Sequence, residues 1–379
     1  MKNNDIVKFQ DAFKLRRGMP KSVILAVTMV LLLIPELFAQ QPAPNPAFLP
    51  SPVQMVSTIP ANGDVNPYGV AFVPAGFPGG ALNPGDVLVS NFNNSQNLQG
   101  TGTSITRVAA NGTTSLFFQG KSPLGLTAAL GVLANGIVLV GNLPTTDGTS
   151  NTVSAGSVLL IDRNGKLLGT LGGSGLINGP WGMAISDNGE GKAHIFISNV
   201  INGTVTRLDV LYDGAGEVLN VVNGFTIAAN YAHRFDPAAL VLGPSGLLYD
   251  ARHDLLYIAS SADNAIYALS DASRLTDPDG VSSTIYSDPE HLHGPLDLAF
   301  APNGDLLVAN SDGSNADPNQ PSEIVEFTTS GKFVSQYSVD ANNGGAFGLA
   351  VAKAGNGAVR FAAVDDNANT LSIRTVPIP

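Results

Sequence analysis

A short motif recurs six times along this 379-residue chain, at intervals of roughly 50–60 residues. Each copy places an aromatic, apolar or small residue next to a glycine or an aspartate and then continues into a run of apolar residues. Two further runs follow each copy, as in DLLVANSDG and EIVEFTTSG. Asn-Gly, Asp-Gly and Ser-Gly pairs between the runs are typical of β-hairpin turns. The pattern predicts six similar units of antiparallel strands.

A fourth run is recognisable in most units, for example LLGTLG and FVSQYSV. Charged residues make up only 13% of the chain, beside 42 Gly and 25 Pro, which disfavours long helices. Four-stranded units that bury their faces only against neighbours describe a propeller. The predicted fold class is all-β, a six-bladed β-propeller, with an array of two-sheet sandwiches as the alternative.

The last unit lacks a fourth run after LSIRTV, and residues 53–59 precede the first motif without a partner run. A closed ring needs a complete last blade. We therefore expect this N-terminal strand to complete the sixth blade and close the ring.

The N-terminus has the pattern of an export signal. Four basic residues between positions 14 and 21 precede an apolar run over 23–34, and Leu-Phe-Ala ending at Ala39 resembles a signal-peptidase site. The run is shorter than the ~20 residues that a helix needs to cross a bilayer, which favours a cleaved signal peptide. An uncleaved membrane anchor is the alternative. Met1 and Met19 are both plausible starts. We predict a signal peptide over 1–39, a Pro-rich tether over 40–51 and the propeller over 52–379, in a periplasmic or extracellular protein.

The net charge of −11 at pH 7 and the absence of cysteine limit the partners and the chemistry. A negative surface repels nucleic acid and anionic membranes. Without cysteine there are no disulfides, thiolate zinc sites or cysteine nucleophiles. We expect a monomer without stable membrane insertion after signal cleavage, and a partner that is a protein, a glycan or a small molecule.

The repeat resembles the NHL repeat, most closely in GPLDLAFAPNGDLLVANSDG followed by EIVEFTTSGKFV within residues 294–334. The resemblance extends over residues 53–379 and implies a six-bladed propeller, in which ligands usually sit over the central channel. It implies no single function, because this fold serves hydrolases, lyases and binding scaffolds.

In each motif, one residue directly precedes the glycine or aspartate, and we call it the lead residue. We expect the lead residues to lie at the channel mouth. The six lead residues are Tyr68, Leu124, Trp181, Ser245, Leu296 and Phe347. Propellers similar to gluconolactonase and regucalcin hold a divalent metal there through Asn, Asp and Glu. Hard cations require such oxygen ligands, and here only Asp297, one residue displaced, offers one. The sequence instead predicts an apolar mouth, either binding a ligand or plugging the channel.

Amide and carboxyl groups recur just after the second run of every unit. They are Asn91, Asn142, Asn199, Asp263, Asn310 and Asp365. A ring of such groups, with Asn142, Asn199 and Asn310 on the ligand face, could bind a sugar or a cation. Their repetition in every unit favours local turn-forming roles instead.

Two long polar insertions, over 142–156 and 310–322, break the symmetry of the repeat. Added loops are where scaffolds commonly acquire function. The second insertion carries Asp312 and Asp317, followed by Glu323, but lacks the spacing of a calcium-binding loop.

The histidines give an alternative to a pure binding role. His291 and His293 form a His-x-His pair before the fifth motif, and His233 precedes the fourth. These imidazoles, with Asp297 as a weaker ligand, could hold a divalent cation or provide a general base. The sequence favours a binding or scaffold module without a cofactor; the alternative is a metal-assisted lyase or hydrolase in which the three imidazoles meet at the channel mouth.

Overall fold

The computed structural model describes residues 46–50, 54–278, 282–311, 315–355 and 357–378. Twenty-six strands account for nearly all regular structure in these segments, together with one 3-10 turn at Ser150–Thr152. No helix in the described segments has the length and apolar character needed to span a bilayer. The all-β prediction is confirmed.

Six four-stranded antiparallel sheets form the blades; five run outward from the channel in chain order, and the sixth has the N-terminal strand as its outermost strand. Blade 1 contains β2 (Val65–Phe72), β3 (Val87–Asn93), β4 (Ser104–Val108) and β5 (Thr114–Gln119). Blade 2 contains β6 (Leu126–Val132), β7 (Val138–Asn142), β8 (Ser157–Ile161) and β9 (Leu167–Leu171). Blade 3 contains β10 (Pro180–Asp187), β11 (Lys192–Asn199), β12 (Thr204–Tyr212) and β13 (Leu219–Ala228).

A two-stranded hairpin, β14 (Arg234–Asp236) and β15 (Leu240–Leu242), lies between blades 3 and 4 in sequence. Blade 4 contains β16 (Pro244–Asp250), β17 (Leu255–Ser260), β18 (Ala265–Ser270) and β19 (Ser282–Tyr286). Blade 5 contains β20 (Pro295–Phe300), β21 (Leu306–Asn310), β22 (Glu323–Phe327) and β23 (Phe333–Ser338). Blade 6 contains β24 (Ala346–Ala354), β25 (Ala358–Asp365), β26 (Thr370–Pro377) and the N-terminal strand β1 (Gln54–Ser57).

The predicted closure of the ring is confirmed. Strand β1 pairs antiparallel with β26, with Val56 opposite Leu371. The innermost strands contact one another around the full circle, including β24 with β2, so the sandwich array is excluded. Val53 lies outside the described residues.

The core is divided among the interfaces between blades. Apolar clusters fill the spaces between consecutive blades, and a further cluster joins blades 6 and 1 to the channel mouth. The strands that contribute most are nearly continuous apolar runs, such as LLVAN in β21, because both of their faces are covered. Each blade is therefore stabilised mainly by its neighbours.

The described end of the Pro-rich segment, residues 46–50, packs against blade 5 and blade 6. The Glu326 carboxylate accepts hydrogen bonds from the backbone N–H groups of Phe48, at 2.7 Å, and Leu49, at 3.1 Å. The ring of Phe48 is buried, with its centroid 6.3 Å from that of Phe361. The rest of the segment up to residue 45 lies outside the described residues.

Candidate functional site at the channel mouth

Four of the six predicted lead residues meet at the channel mouth. The centroid of the Tyr68 ring lies 5.5 Å from that of Trp181 and 4.6 Å from that of Phe347. Leu296 belongs to the same buried cluster, and Phe92 packs beneath Tyr68. These side chains form an apolar floor across the channel, which we call the aromatic floor.

Hydroxyl groups hold neighbouring innermost strands together at this level. Ser90 Oγ donates to the carbonyl of Thr127 at 2.7 Å, and Thr127 Oγ1 donates to that of Pro180 at 2.7 Å. Ser245 Oγ donates to the Pro295 carbonyl at 2.8 Å. Each bond crosses from one blade to the next, so the aromatic floor is mounted on a rigid ring.

Leu124 is not a lead residue in the structure. Blade 2 pairs Leu126 with Asn142 and fits an extra residue into its first strand, so that Thr127 takes the lead position. Leu124 lies upstream and packs against the apolar cluster between blades 1 and 2. The prediction took Gly125 for the motif glycine, but Gly125 lies in the loop before β6, where its N–H donates to Asn142 Oδ1.

Ser245 is a lead residue by position, but its side chain does not reach the mouth. It is fully buried, and its hydroxyl is used in the bond to Pro295. The predicted ring of six lead residues is therefore reduced to four that face a common space.

The hairpin β14–β15 forms a roof over the aromatic floor. Leu240 and Val241 are buried in the same cluster as Tyr68 and Trp181. From the far side of the mouth, Gln99 Nε2 donates a hydrogen bond to the carbonyl of Ala238 at 2.9 Å. The hairpin therefore extends from blade 4 toward blade 1.

Between roof and floor is a cavity of about 300 Å³. Its wall combines the floor residues with hairpin residues and polar groups from blades 1, 4, 5 and 6. The polar groups are Asn66, Asn93, Asn97, Gln99, Ser261, Ser311, Asp366 and Asn367. An apolar base with converging polar groups in a concave space is the usual composition of a small-molecule site.

Asp366 supplies the carboxyl group of this cavity. Burial raises its pKa to about 7, against a hydrogen bond from the Asn66 side chain that lowers it, and the neighbouring Asp365 raises it further. Burial also raises the pKa of the Tyr68 phenol, and the charge of Asp366 adds to that shift. The cavity wall therefore contains an acid that changes charge close to neutral pH.

Asp297 occupies the position at which four other innermost strands have glycine. Its carboxylate accepts hydrogen bonds from the backbone N–H of Leu298, at 2.9 Å, and of Leu349 in blade 6, at 3.0 Å. Burial raises its pKa to about 7, and these two hydrogen bonds act in the opposite direction. No imidazole accompanies Asp297 in a group able to hold a metal within the described segments.

The side-chain amides of the predicted ring form hydrogen bonds with backbone groups of the protein itself. Asn142 Oδ1 accepts from the backbone of Gly125 at 2.8 Å, and Asn199 Oδ1 accepts from Asn178 at 2.9 Å. Asn310 Nδ2 donates to the carbonyl of His291 at 2.9 Å. None of Asn142, Asn199 and Asn310 lines the cavity, and all three are buried, so their placement on a ligand face is corrected. They fasten the loop before each blade to its second strand.

The three imidazoles do not converge. His291 Nδ1 lies 2.6 Å from Asp288 Oδ2, with its ring stacked on Phe333. His293 lies between the carbonyls of Asn315 and Glu290, and His233 Nδ1 lies 3.0 Å from that of Tyr231. None of the three lines the cavity. Among the described residues, the one group able to share an ion is Asp288, Glu290 and His291, so the three-histidine site is not formed.

The two polar insertions fold back on the blades. Thr145 in the first donates its hydroxyl to the carbonyl of Gln99 at 2.6 Å and thereby supports the wall of the cavity. In the second, Asp317 lies 3.7 Å from His293 Nε2, and Glu323 is buried beside Asn310. Asp312 lies outside the described residues.

The prediction from sequence missed Asp366 and the hairpin roof. In the strand register, Asp366 corresponds to Phe92 in blade 1 and Ser311 in blade 5, so the sixth unit breaks the pattern with an acid. That departure was visible in the sequence. The hairpin had no counterpart in other units and gave no signal that it would cover the mouth.

Neither a protein-family model nor a curated protein sequence matches this chain. Solved structures match by fold. The gluconolactonase XC5397 from Xanthomonas campestris has a TM-score of 0.52 at 12% identity, over 88% of this chain and 100% of that one. A luciferin-regenerating enzyme has a TM-score of 0.50 at 9% identity, over 86% and 95%. Virginiamycin B lyase from Staphylococcus aureus has a TM-score of 0.46 at 15% identity, over 86% and 88%. Such identities show the shared β-propeller fold alone.

Proposed function

We propose that this protein is a binding module whose ligand is a small molecule held in the channel-mouth cavity. The observation that carries the proposal is the concave cavity of about 300 Å³ between the aromatic floor and the hairpin roof. That space suits a ligand with a single ring rather than a protein surface or a long glycan. No cofactor enters the proposal.

The test is a ligand-observed NMR screen with small aromatic alcohols, amines and carboxylates and with monosaccharides. We expect at least one class to bind with a Kd of about 1 mM or tighter, as ligands of this size allow. Ala239, which lines the cavity, is changed to Trp to fill it. Ala110, exposed on the β4–β5 turn, gives the control Ala110→Trp.

Binding that is lost in Ala239→Trp and kept in Ala110→Trp supports the cavity as the site. If no class binds the unaltered protein, or if Ala239→Trp binds as well as the parent, the proposal is wrong. The predicted metal-assisted lyase or hydrolase is not proposed, because the three imidazoles are used separately and away from the cavity.

We also infer that the chain is exported and that its blades are NHL-like repeats. The support for export is the basic and apolar pattern before Ala39, which lies outside the described residues. The support for the repeat is the segment within 294–334, whose runs coincide with β20, β21 and β22. N-terminal sequencing of the mature protein would reveal a start at Gln40 if cleavage follows Ala39.

A further inference from the structure

The wall of the cavity has a one-sided charge. Among the residues that the structure describes, the wall includes one carboxyl, Asp366, and no lysine, arginine or histidine. Among the described residues no ion pair includes Asp366. The side-chain hydrogen bond that favours its charged form comes from the neutral Asn66. A half-buried carboxylate without a cation is partly deprived of water, which is unfavourable, and a cationic ligand would reduce that cost.

The polar wall also has an acceptor without a donor. Asn93 is 3% exposed and lines the cavity. Its Nδ2 donates to Asn97 Oδ1 at 2.7 Å, whereas its Oδ1 is buried and has no hydrogen-bond partner. An unsatisfied buried acceptor is rare in folded proteins and indicates a group that supplies the missing N–H or O–H.

The floor of the cavity suits a cation as well. The centroid of the Tyr68 ring lies within 6 Å of the centroids of the Trp181 and Phe347 rings. The faces of aromatic rings attract an ammonium group within about 6 Å of the ring centroid. An acid, an acceptor without a hydrogen-bond partner and three aromatic rings among the residues that line one cavity match an ammonium group attached to an apolar body.

We propose that the ligand of the channel-mouth cavity is a small organic cation, whose ammonium group pairs with the Asp366 carboxylate and donates to Asn93 Oδ1. This proposal rests on the proposed function and specifies the ligand class of the same site. The apolar part of the ligand lies on the aromatic floor. Anionic ligands are excluded by Asp366 and by the net charge of −11.

The test compares three probes that share a benzyl or phenyl ring: benzylammonium, benzyl alcohol and benzoate. Titration calorimetry at pH 8 and low salt is expected to give at least tenfold tighter binding of benzylammonium than of benzyl alcohol, with benzoate weakest. In Asp366→Asn the preference for benzylammonium is expected to disappear, while benzyl alcohol binds as before. Asp271→Asn, at a side chain that is 63% exposed, is the matched control and keeps the preference.

A pH series adds a readout that a merely structural role would not give. The groups around Asp366 are the titratable Asp365 and Tyr68 and the neutral Asn66. Because the cation binds the ionised acid, benzylammonium should bind roughly tenfold more tightly at pH 8 than at pH 6. The Asp366→Asn variant should show no such dependence.

The outcomes separate the two proposals. Equal binding of benzylammonium and benzyl alcohol, both lost in Ala239→Trp, would overturn the cation assignment and leave the binding cavity intact. Tighter binding of benzoate would do the same. Binding of none of the three probes would overturn the cation assignment, and the wider screen would then decide whether the cavity binds ligands at all.

Discussion

At the scale of the residue, the channel mouth depends on positions where a side chain cannot fit. A Cβ atom on Gly348 would meet the carbonyl of Tyr68, and one on Gly182 would meet the carbonyl of Ser245, closer than any real Cβ contact. The φ angle is ordinary at both positions, so close approach of neighbouring strands is the reason for glycine. The motif's recurrent glycine therefore sets the diameter of the ring.

We expect Gly348→Ala to lower the free energy of unfolding by about 2–4 kcal/mol, because the backbone of blade 1 must move to admit the methyl group. Gly355→Ala in the same blade, with nothing within 4 Å of the new atom, should change it by less than about 0.5 kcal/mol. Chemical denaturation of both variants measures the difference. Equal effects would contradict the role assigned to Gly348.

Asp297 links the stability of the ring to pH. Its pKa is raised to about 7 in the folded state, from 3.8 in the unfolded chain. The folded state therefore keeps the Asp297 proton up to a higher pH than the unfolded chain does. The protonated carboxyl thus stabilises the folded state fully below pH 3.8, and this stabilisation is lost as the pH rises through 7. The effect is opposite in sign to that of carboxylates whose pKa is lowered, such as Asp209.

Asp297→Asn removes this titration. On going from pH 4 to pH 8, we expect the parent to lose on the order of 2 kcal/mol of unfolding free energy relative to the variant. Asp271→Asn, at an exposed side chain, is the control for the loss of one carboxyl group. Urea denaturation at several pH values gives the comparison, and a difference that does not vary with pH would argue against a perturbed Asp297.

At the scale of the element, irregular pieces rather than blades build the site. In the part of the chain that the structure describes, the hairpin β14–β15 has no equivalent between other blades, yet it supplies the roof and three buried residues, Leu240, Val241 and Leu242. The loop after β3 supplies Gln99, which contacts the hairpin, and the first insertion supports that loop through Thr145. Insertions on a repetitive scaffold thus convert an open channel mouth into a cavity.

At the scale of the whole molecule, the ring is closed by pairing the N-terminal strand with the C-terminal one. Val56 faces the cluster at the channel, whereas Met55 is 58% exposed. Every blade uses its neighbours for burial, so opening the ring at blade 6 removes support from blades 5 and 1. Closure is therefore a condition for the stability of the entire propeller.

We expect Val56→Asp to lower the free energy of unfolding by more than about 2 kcal/mol, since it places a charge against an apolar cluster. Met55→Asp should cost less than about 0.5 kcal/mol because its side chain is solvated. Hydrogen exchange should become faster in Val56→Asp at Leu371, which pairs with Val56, and little changed in Met55→Asp. The same exchange in both variants would show that β1 is dispensable.

The sequence by itself determined the number of blades, their four strands and the closure of the ring. These features rest on local signals, namely hairpin turns, alternating apolar runs and one unpaired strand at each end. The convergence of Tyr68, Trp181, Leu296 and Phe347 followed from the repeat, because equivalent positions in a closed ring face the same axis.

Only the tertiary structure decided which polar groups share the mouth. Leu124 was misplaced because Gly125 looks like the motif glycine but lies in the loop before β6, where its N–H donates to Asn142 Oδ1, a contact that the sequence alone does not reveal. Asp366 and the hairpin come from opposite sides of the ring and meet only after it closes. The cavity is thus a product of contacts between residues far apart in the chain, whereas the blades are a product of contacts between near ones.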